Sequence, residues 1–170
     1  MNHLKAYREM AAGGKQFRGL SIISNAKEIG EFLRTVGAKD VLDFGSGAGD
    51  AYRSPHKIHH TYFGLKRSDV TLYDPSFKGI DVLPKRTFEA VVCSDVLEHI
   101  PEVDVPEFIA TLFEHARLGV WASVCCRGAK KTFPGTKVNL HATVKPLEWW
   151  QEKFANSCNP YIRWQLTETK

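Results

Sequence analysis

The run VLDFGSGAG over residues 41–49 places three glycines at alternate positions directly after an apolar segment. Glycine lets the backbone turn tightly, and it leaves main-chain amides open to a ligand at the start of a helix. An acid, Asp43, precedes the first glycine by two positions. A plain turn between a strand and a helix needs similar glycines, so this run alone does not separate a binding loop from a structural turn.

Acids also follow the next two confident strand segments. Asp74 ends the segment VTLY over 70–73, and Asp95 follows the segment over 88–93. An acid at the tip of the second strand of a parallel sheet can accept hydrogen bonds from a ribose diol. Because Pro75 follows Asp74, an Asp-Pro turn is the alternative. Together with the glycine run, these acids predict a site for a nucleotide-like cofactor.

Two histidines and a glutamate stand where a substrate could lie. Glu98 and His99 closely follow Asp95, and His141 lies in the run NLH, shortly before two tryptophans. Histidine titrates near neutral pH and is the usual general base for an alcohol or phenol. We therefore predict His99, His141 and Glu98 as catalytic residues. The alternatives are a His99 bonded to backbone in a helix turn and an exposed His141.

No metal site is predicted from residue spacing. His56, His59 and His60 lie close in sequence, but no carboxylate or cysteine partner shares their spacing, so solvated loop histidines are expected. The cysteines form no CxxC pair, which favours reduced thiols over a disulfide framework. They are Cys93, Cys125, Cys126 and Cys158.

Apolar strand segments alternate with amphipathic helices along the chain, a pattern typical of a parallel sheet covered on both faces. We predict an α/β fold with a doubly wound, mostly parallel sheet and an antiparallel last strand. The expected strands are 40–44, 70–73, 88–93, 119–126 and 161–166, with a further apolar unit over 80–83. The expected helices are 22–36, 104–116 and 146–154, with a weak helix over 56–62.

The chain divides into an N-terminal arm over 1–20, which could close over a substrate, and a single domain over 21–170. A Gly/Pro loop over 127–137 carries Arg127, Lys130, Lys131 and Lys137. With Lys15 and Arg18, these cations could receive an anionic substrate, although solvated surface is the commoner role of such a group.

Composition limits the remaining classes of function. The 170 residues carry a net charge of +4, too small to identify a nucleic-acid binder. The longest apolar stretch is far shorter than the roughly 20 residues of a membrane span, and the N-terminus lacks the apolar core of a signal peptide. We expect a cytoplasmic protein that binds no membrane. Nothing here predicts its oligomeric state.

The motifs resemble those of one family. VLDFGSGAG is similar to motif I of the Rossmann-like class I S-adenosylmethionine-dependent methyltransferases, LYDPS to their ribose-binding motif, and FEAVVCSDVLEHIP to their fourth motif, in the type 11 style. The resemblance covers roughly residues 38–126. A nicotinamide-binding Rossmann protein would instead carry GxGxxG, with no acid before the glycines. The resemblance therefore implies a methyltransferase with S-adenosyl-L-methionine as cofactor.

The resemblance also implies a role for each matching residue. The methionine end of the cofactor would lie against Asp43, Phe44, Gly45, Ser46, Gly47 and Gly49. The ribose would lie against Asp74 and Pro75, the adenine edge against Asp81 and Val82, and the sulfonium beside Asp95 and Val96. The acceptor would be a small molecule, or a sugar-like or nucleotide-like group. Two alternatives stay open: a protein that binds the cofactor without methyl transfer (regulatory, degenerate or cofactor-degrading), and a NAD-type enzyme.

Overall fold

The computed structural model describes residues 3–14 and 16–169. Within these ranges the chain forms four α-helices and one five-stranded sheet. The helices are α1 (His3–Ala12), α2 (Ala26–Val36), α3 (Val105–His115) and α4 (Leu147–Ser157). The strands are β1 (Val41–Phe44), β2 (Val70–Tyr73), β3 (Phe88–Ser94), β4 (Ala116–Val124) and β5 (Arg163–Glu168).

The sheet has the strand order β2-β1-β3-β4-β5, and every neighbouring pair is parallel. From β1 the chain passes first to β2 on one side and later to β3 on the other. The carboxyl ends of β1 and β3 therefore flank the point where the winding reverses, which is where open α/β sheets bind ligands. This arrangement confirms the predicted doubly wound α/β fold.

The prediction of an antiparallel last strand is wrong. β5 runs parallel to β4, with Gly119 opposite Arg163 and Val124 opposite Glu168. Helix α4 lies between the two strands in sequence and packs against α3 and β5. It returns the chain to the amino end of the sheet, so the next strand must run in the same direction as β4.

Each central strand contributes to two cores because its successive side chains point to opposite faces. Leu42, Val91 and Val120 lie in a buried cluster with α3 and α4. Val41, Val92 and Trp121 lie in a second cluster with α2. Helix α2 ends at Gly37, whose φ of +74° is the left-handed conformation typical of a helix C-terminus. The two cores hold the sheet rigid and leave its carboxyl edge free for a site.

Three segments differ from the sequence predictions. The apolar unit over 80–83 forms no strand, and the weak helix expected over 56–62 is one π-helical turn, His59–Phe63. The arm expected over 1–20 contains helix α1, in which Met10 and Ala11 are buried. Residues 1, 2 and 15, including the predicted cation Lys15, lie outside the described residues. The division into arm and domain stays a prediction.

Within residues 3–14 and 16–169, no helix combines the length and the apolar character that a membrane crossing requires.

Candidate functional site

A cavity of about 680 Å³ opens at the carboxyl edge of the sheet, where the winding reverses. Its volume lies within the range typical of small-molecule sites. Eight residues predicted from the sequence line it: Phe44, Gly45, Gly47, Asp74, Pro75, Asp95, Val96 and His99. The structure thus brings together residues from the ends of three strands.

The glycine loop after β1 leaves no space for side chains. A Cβ atom on Gly47 would lie 2.3 Å from the carbonyl oxygen of Phe17, and one on Gly45 would lie 2.3 Å from Cγ2 of Val96. Both glycines also have positive φ, +56° at Gly47 and +88° at Gly45. Since a side chain there would be strained and would clash, the loop requires glycine at both positions.

The N-terminal segment lies across this loop. The amide of Ala48 donates to the carbonyl of Phe17 at 2.9 Å, and the amide of Asp50 donates to the carbonyl of Arg18 at 3.1 Å. Arg18 also forms an ion pair with Asp50, at 2.7 Å between Nε and Oδ2. Residues before the sheet therefore help to hold the glycine loop in shape.

Asp74 joins the glycine loop to the turn after β2. Its Oδ2 accepts from the amide of Gly47 at 2.9 Å, and its Oδ1 accepts from the amide of Ser76 at 2.8 Å. Burial raises the pKa of Asp74, and the two amides oppose that rise. Each carboxylate oxygen has a second lone pair, so the group can still accept from a hydroxyl in the cavity.

Asp43 is buried behind the cavity and does not line it. It is 2% exposed, and the hydroxyl of Tyr52 donates to its Oδ2 at 2.9 Å. Burial raises the pKa of Asp43 to about 7, against the effect of this hydrogen bond. Asp43 therefore supports the end of β1 from inside the protein.

Four other predicted cofactor residues also lie outside the lining. Ser46 is buried, and Gly49 precedes a short helical turn. Asp81 is exposed and accepts from the amide of Gly79 at 3.0 Å, while Val82 is 79% exposed. The contact of Asp81 and Val82 with an adenine edge stays a prediction.

Asp95, at the end of β3, has a φ of +55°, which is unusual for a residue with a side chain. Its amide donates to the carbonyl of Ser123 at 3.2 Å. Its Oδ1 accepts from the hydroxyls of Ser123, at 3.1 Å, and Thr169. Contacts from β4 and from the residue after β5 thus hold Asp95 in a strained backbone conformation, with its carboxylate at the cavity wall.

The three predicted catalytic residues form one cluster. Glu98, His99 and His141 each offer a nitrogen or oxygen atom, and these atoms lie within 4.8 Å of one another. Glu98 is 1% exposed, and its Oε1 accepts from the amide of Cys125 at 3.2 Å. Its Oε2 has no hydrogen-bond partner among the described residues. Burial, with a contribution from Asp95, raises the pKa of Glu98 to about 8.

The tautomers of both histidines follow from backbone carbonyls. Nδ1 of His99 lies 3.0 Å from the carbonyl oxygen of Leu140, and Nδ1 of His141 contacts the carbonyl oxygen of Arg127. A carbonyl only accepts, so both Nδ1 atoms carry the proton and both Nε2 atoms are bare when the rings are neutral. Burial lowers the pKa of His99 to about 4, which keeps that ring neutral.

The predicted alternatives for these two histidines are met only in part. His99 is bonded to backbone, as its alternative stated, yet the same ring lines the cavity. His141 is half-buried rather than exposed. Thr143 fixes the His141 segment to the turn after β3, since its amide donates to the carbonyl of Glu98 at 3.0 Å and its hydroxyl to that of Ile100 at 2.7 Å.

A family model described as a methyltransferase domain matches residues 17–166. The chain belongs to this methyltransferase-domain family. No curated protein and no solved structure gives a significant match. The match confirms the resemblance to class I methyltransferases and favours methyl transfer over nicotinamide chemistry.

Four aromatic residues of this methyltransferase line the cavity although none was predicted as a site residue: Tyr7, Phe17, Tyr73 and Phe108. Phe44 packs edge-on against Tyr73 and Phe108, with ring centroids 4.8 and 5.3 Å away. Tyr7 and Phe17 come from the N-terminal segment and also line the cavity. Tyr73 could have been found, since it directly precedes Asp74. The other three carry no local signal, because only the fold brings α1 and α3 to this edge.

The hydroxyl of Tyr7 bonds the N-terminal helix of the methyltransferase to the histidine cluster. It donates to the carbonyl of Leu140 at 2.6 Å and lies 2.9 Å from Nδ1 of His99. Burial raises the pKa of Tyr7, so the phenol stays protonated and remains a donor. Helix α1 therefore helps to position His99.

The basic loop lies away from this cavity. None of the residues 127–137 lines it, and Arg127 donates to the carbonyl of Thr169 at 3.1 Å. Trp150 and Phe154 are buried in the core beside α3, which agrees with their role as the apolar face of a helix. These contacts do not support an anionic acceptor, which stays a prediction.

Proposed function

We propose that this protein transfers a methyl group from S-adenosyl-L-methionine, bound over the glycine loop. The cavity supports this cofactor because it combines a loop whose lining positions are glycines, a carboxylate that can accept from a diol, and aromatic walls. When bound, the cofactor supplies an electrophilic methyl group on a sulfonium. Gly45 and Gly47 would hold its methionine end, and Asp74 would accept from its ribose hydroxyls.

The observation that carries the proposal is the contact between Asp74 and Gly47. One carboxylate oxygen accepts from the glycine amide, so the two motifs are joined at one wall of the cavity. A turn that served only to link strand to helix would need no carboxylate from the neighbouring strand. The glycine loop and Asp74 meet at the same wall of the cavity, and this meeting favours a cofactor site more than either motif alone.

The methyl acceptor would lie between Asp95, His99 and helix α1. This part of the cavity is polar, with the hydroxyl of Tyr7 close to the His99 ring. The protein accelerates the reaction mainly by holding acceptor and methyl group in line. A small-molecule, sugar-like or nucleotide-like oxygen acceptor would suit the site, and the bare Nε2 of His99 would accept its proton as long as nothing else occupies that lone pair.

Calorimetric titration of the purified protein with S-adenosylhomocysteine tests the cofactor. We expect micromolar binding at one site per chain, and no binding of NAD under the same conditions. No binding of S-adenosylhomocysteine, or equal binding of NAD, would overturn the proposal. Methyl transfer itself is tested with acceptors, since S-adenosylhomocysteine should accumulate only when something takes the methyl group. Loss of S-adenosyl-L-methionine without an acceptor and without formation of S-adenosylhomocysteine would indicate breakdown of the cofactor.

The variant Asp74→Asn is expected to bind S-adenosylhomocysteine about 10–100-fold more weakly, because it loses charge-assisted hydrogen bonds to the ribose. The same titration measures the change. Glu31→Gln is the matched control: it removes the same charge from an exposed acid of α2 outside the cavity lining, and we expect unchanged affinity. An unchanged affinity in a folded Asp74→Asn protein would remove Asp74 from the site.

A further inference from the structure

Glu98, His99 and His141 bring together the kinds of donor atom that ligate metal ions. One carboxylate oxygen and two imidazole nitrogens lie within 4.8 Å of one another. Among the side chains that the structure describes, 4–14 and 16–169, no other three such groups lie this close together. The first two residues are adjacent in sequence and the third lies beyond β4, which is why local spacing predicted no metal.

The hydrogen bonds of the two histidines leave one ring nitrogen of each, Nε2, free to bind a metal ion. Each Nδ1 donates to a backbone carbonyl, that of Leu140 for His99 and that of Arg127 for His141. Each Nε2 therefore presents a lone pair. A ring held through one nitrogen by a carbonyl, with the other nitrogen bare, is the usual state of a metal-binding histidine.

Glu98 supplies a second and independent observation. The residue is 1% exposed, and its buried Oε2 has no hydrogen-bond partner in the part of the chain that the structure describes. An unpaired polar atom in a protein interior loses its hydrogen bonds to water without replacement, so such an atom usually has a partner. Its other oxygen is already fixed by the amide of Cys125. A cation between this carboxylate and the two imidazoles would satisfy the orphaned oxygen.

Three contacts fix the scaffold around these side chains. Thr143 joins the His141 segment to the backbone of Glu98, and Tyr7 braces the carbonyl that holds His99. Asn139 closes a turn beneath His141, since its Oδ1 accepts from the His141 amide at 2.9 Å. Each ligand is thus held by the backbone and its neighbours before any ion arrives, which lowers the cost of binding.

We propose that Glu98, His99 and His141 bind one divalent transition-metal cation. Two imidazoles and one carboxylate suit Zn²⁺, Co²⁺ or Mn²⁺ better than Ca²⁺, whose ligands are oxygen atoms. Bonds of about 2.0–2.2 Å would draw the three donor atoms slightly closer together. His99 lines the cavity, so the ion lies at its wall with coordination positions left over.

The cation changes the role of His99. One Nε2 lone pair cannot bind both a proton and a metal ion, so His99 acts as a ligand rather than as a base. If the proposed methyl transfer is correct, an acceptor oxygen could occupy a free position on the cation. Bound there, the oxygen would lose its proton more readily, as metal-bound water does.

The test is titration of the tag-free, chelator-treated protein with Co²⁺, followed by calorimetry and visible absorption, with no S-adenosylhomocysteine present. We expect one ion per chain. We expect Glu98→Gln and His141→Ala each to weaken binding by at least about 100-fold, because the loss of a direct ligand should exceed the roughly 10–100-fold caused by removing a residue that only supports a ligand. His56→Ala is the matched control, because it removes an exposed histidine outside the cluster, and its affinity should match the original protein.

No binding of Co²⁺, or equal affinity in Glu98→Gln, His141→Ala and the original protein, would overturn the proposal. If a variant unfolds, as circular dichroism would show, the original protein still decides the question. Zn²⁺ should shift the ¹⁵N resonances of two histidine Nε2 atoms, and no such shift would also overturn it. Since these measurements omit S-adenosylhomocysteine, a failure of the proposed cofactor would leave the metal result intact.

Discussion

Replacing Gly47 with alanine is expected to weaken S-adenosylhomocysteine binding by at least about 100-fold, equivalent to about 2.7 kcal/mol or more. The new Cβ would lie 2.3 Å from the carbonyl oxygen of Phe17, and the loop would have to keep a φ of +56°. The backbone of Phe17 cannot move aside for the new methyl group as a flexible side chain could. The loop and the N-terminal segment must therefore separate, which removes both the ligand cradle and part of its cover. Calorimetric titration measures the loss.

Gly37→Ala separates this effect from backbone strain alone. Gly37 has a similar φ, +74°, but no described residue lies within 4 Å of a Cβ placed there. We expect it to reduce the free energy of unfolding by about 1 kcal/mol with unchanged affinity for S-adenosylhomocysteine. A folded Gly47→Ala protein that binds as tightly as Gly37→Ala would show that the glycine loop is not the cradle.

The second large effect concerns stability and pH. We expect Asp43→Asn to gain stability relative to the original protein by about 2 kcal/mol between pH 5 and pH 8. Burial raises the pKa of Asp43 to about 7, whereas the unfolded chain has an ordinary aspartate. Between the two values the folded state binds more protons. The original protein therefore loses stability as pH rises through this window, and asparagine, which does not titrate, removes that loss.

Urea denaturation at several pH values measures this difference. Glu114→Gln is the control, because it removes the charge of an exposed acid on α3, and the difference should stay constant with pH. Tyr52→Phe should enlarge the pH dependence of the original protein, because it removes the donor that stabilises the Asp43 carboxylate. A stability difference between Asp43→Asn and the original protein that does not change with pH would contradict the expected protonation of Asp43.

Much of the fold could be predicted because its signals are local. Apolar strands of four to nine residues alternate with amphipathic helices, and this pattern already indicates a parallel sheet. The direction of β5 could not be read from its own residues. It depends on where α4 packs, and that is a tertiary contact. The apolar unit over 80–83 forms no strand for a related reason, since an apolar segment needs a neighbouring strand to pair with.

The candidate site shows the same division. The glycine loop and Asp74 were found because each motif is continuous in sequence and follows a strand. The cavity wall formed by Tyr7 and Phe108 carries no motif, and it arises only when α1 and α3 pack at the sheet edge. Likewise Glu98 and His141 were predicted separately as catalytic residues. Their proximity depends on the hydrogen bonds of Thr143, which sequence spacing does not reveal.

The affinity of the cavity for a ligand depends on the fraction of molecules in which the N-terminal segment lies across the glycine loop. Phe17 and Tyr7 belong to residues before the sheet, so the complete wall exists only in molecules whose N-terminal segment is docked. The apparent dissociation constant of a ligand that needs this wall equals the intrinsic constant divided by the docked fraction. Substitutions in α1 can therefore tune affinity without touching the loop, and a bound ligand will in turn hold α1 in place.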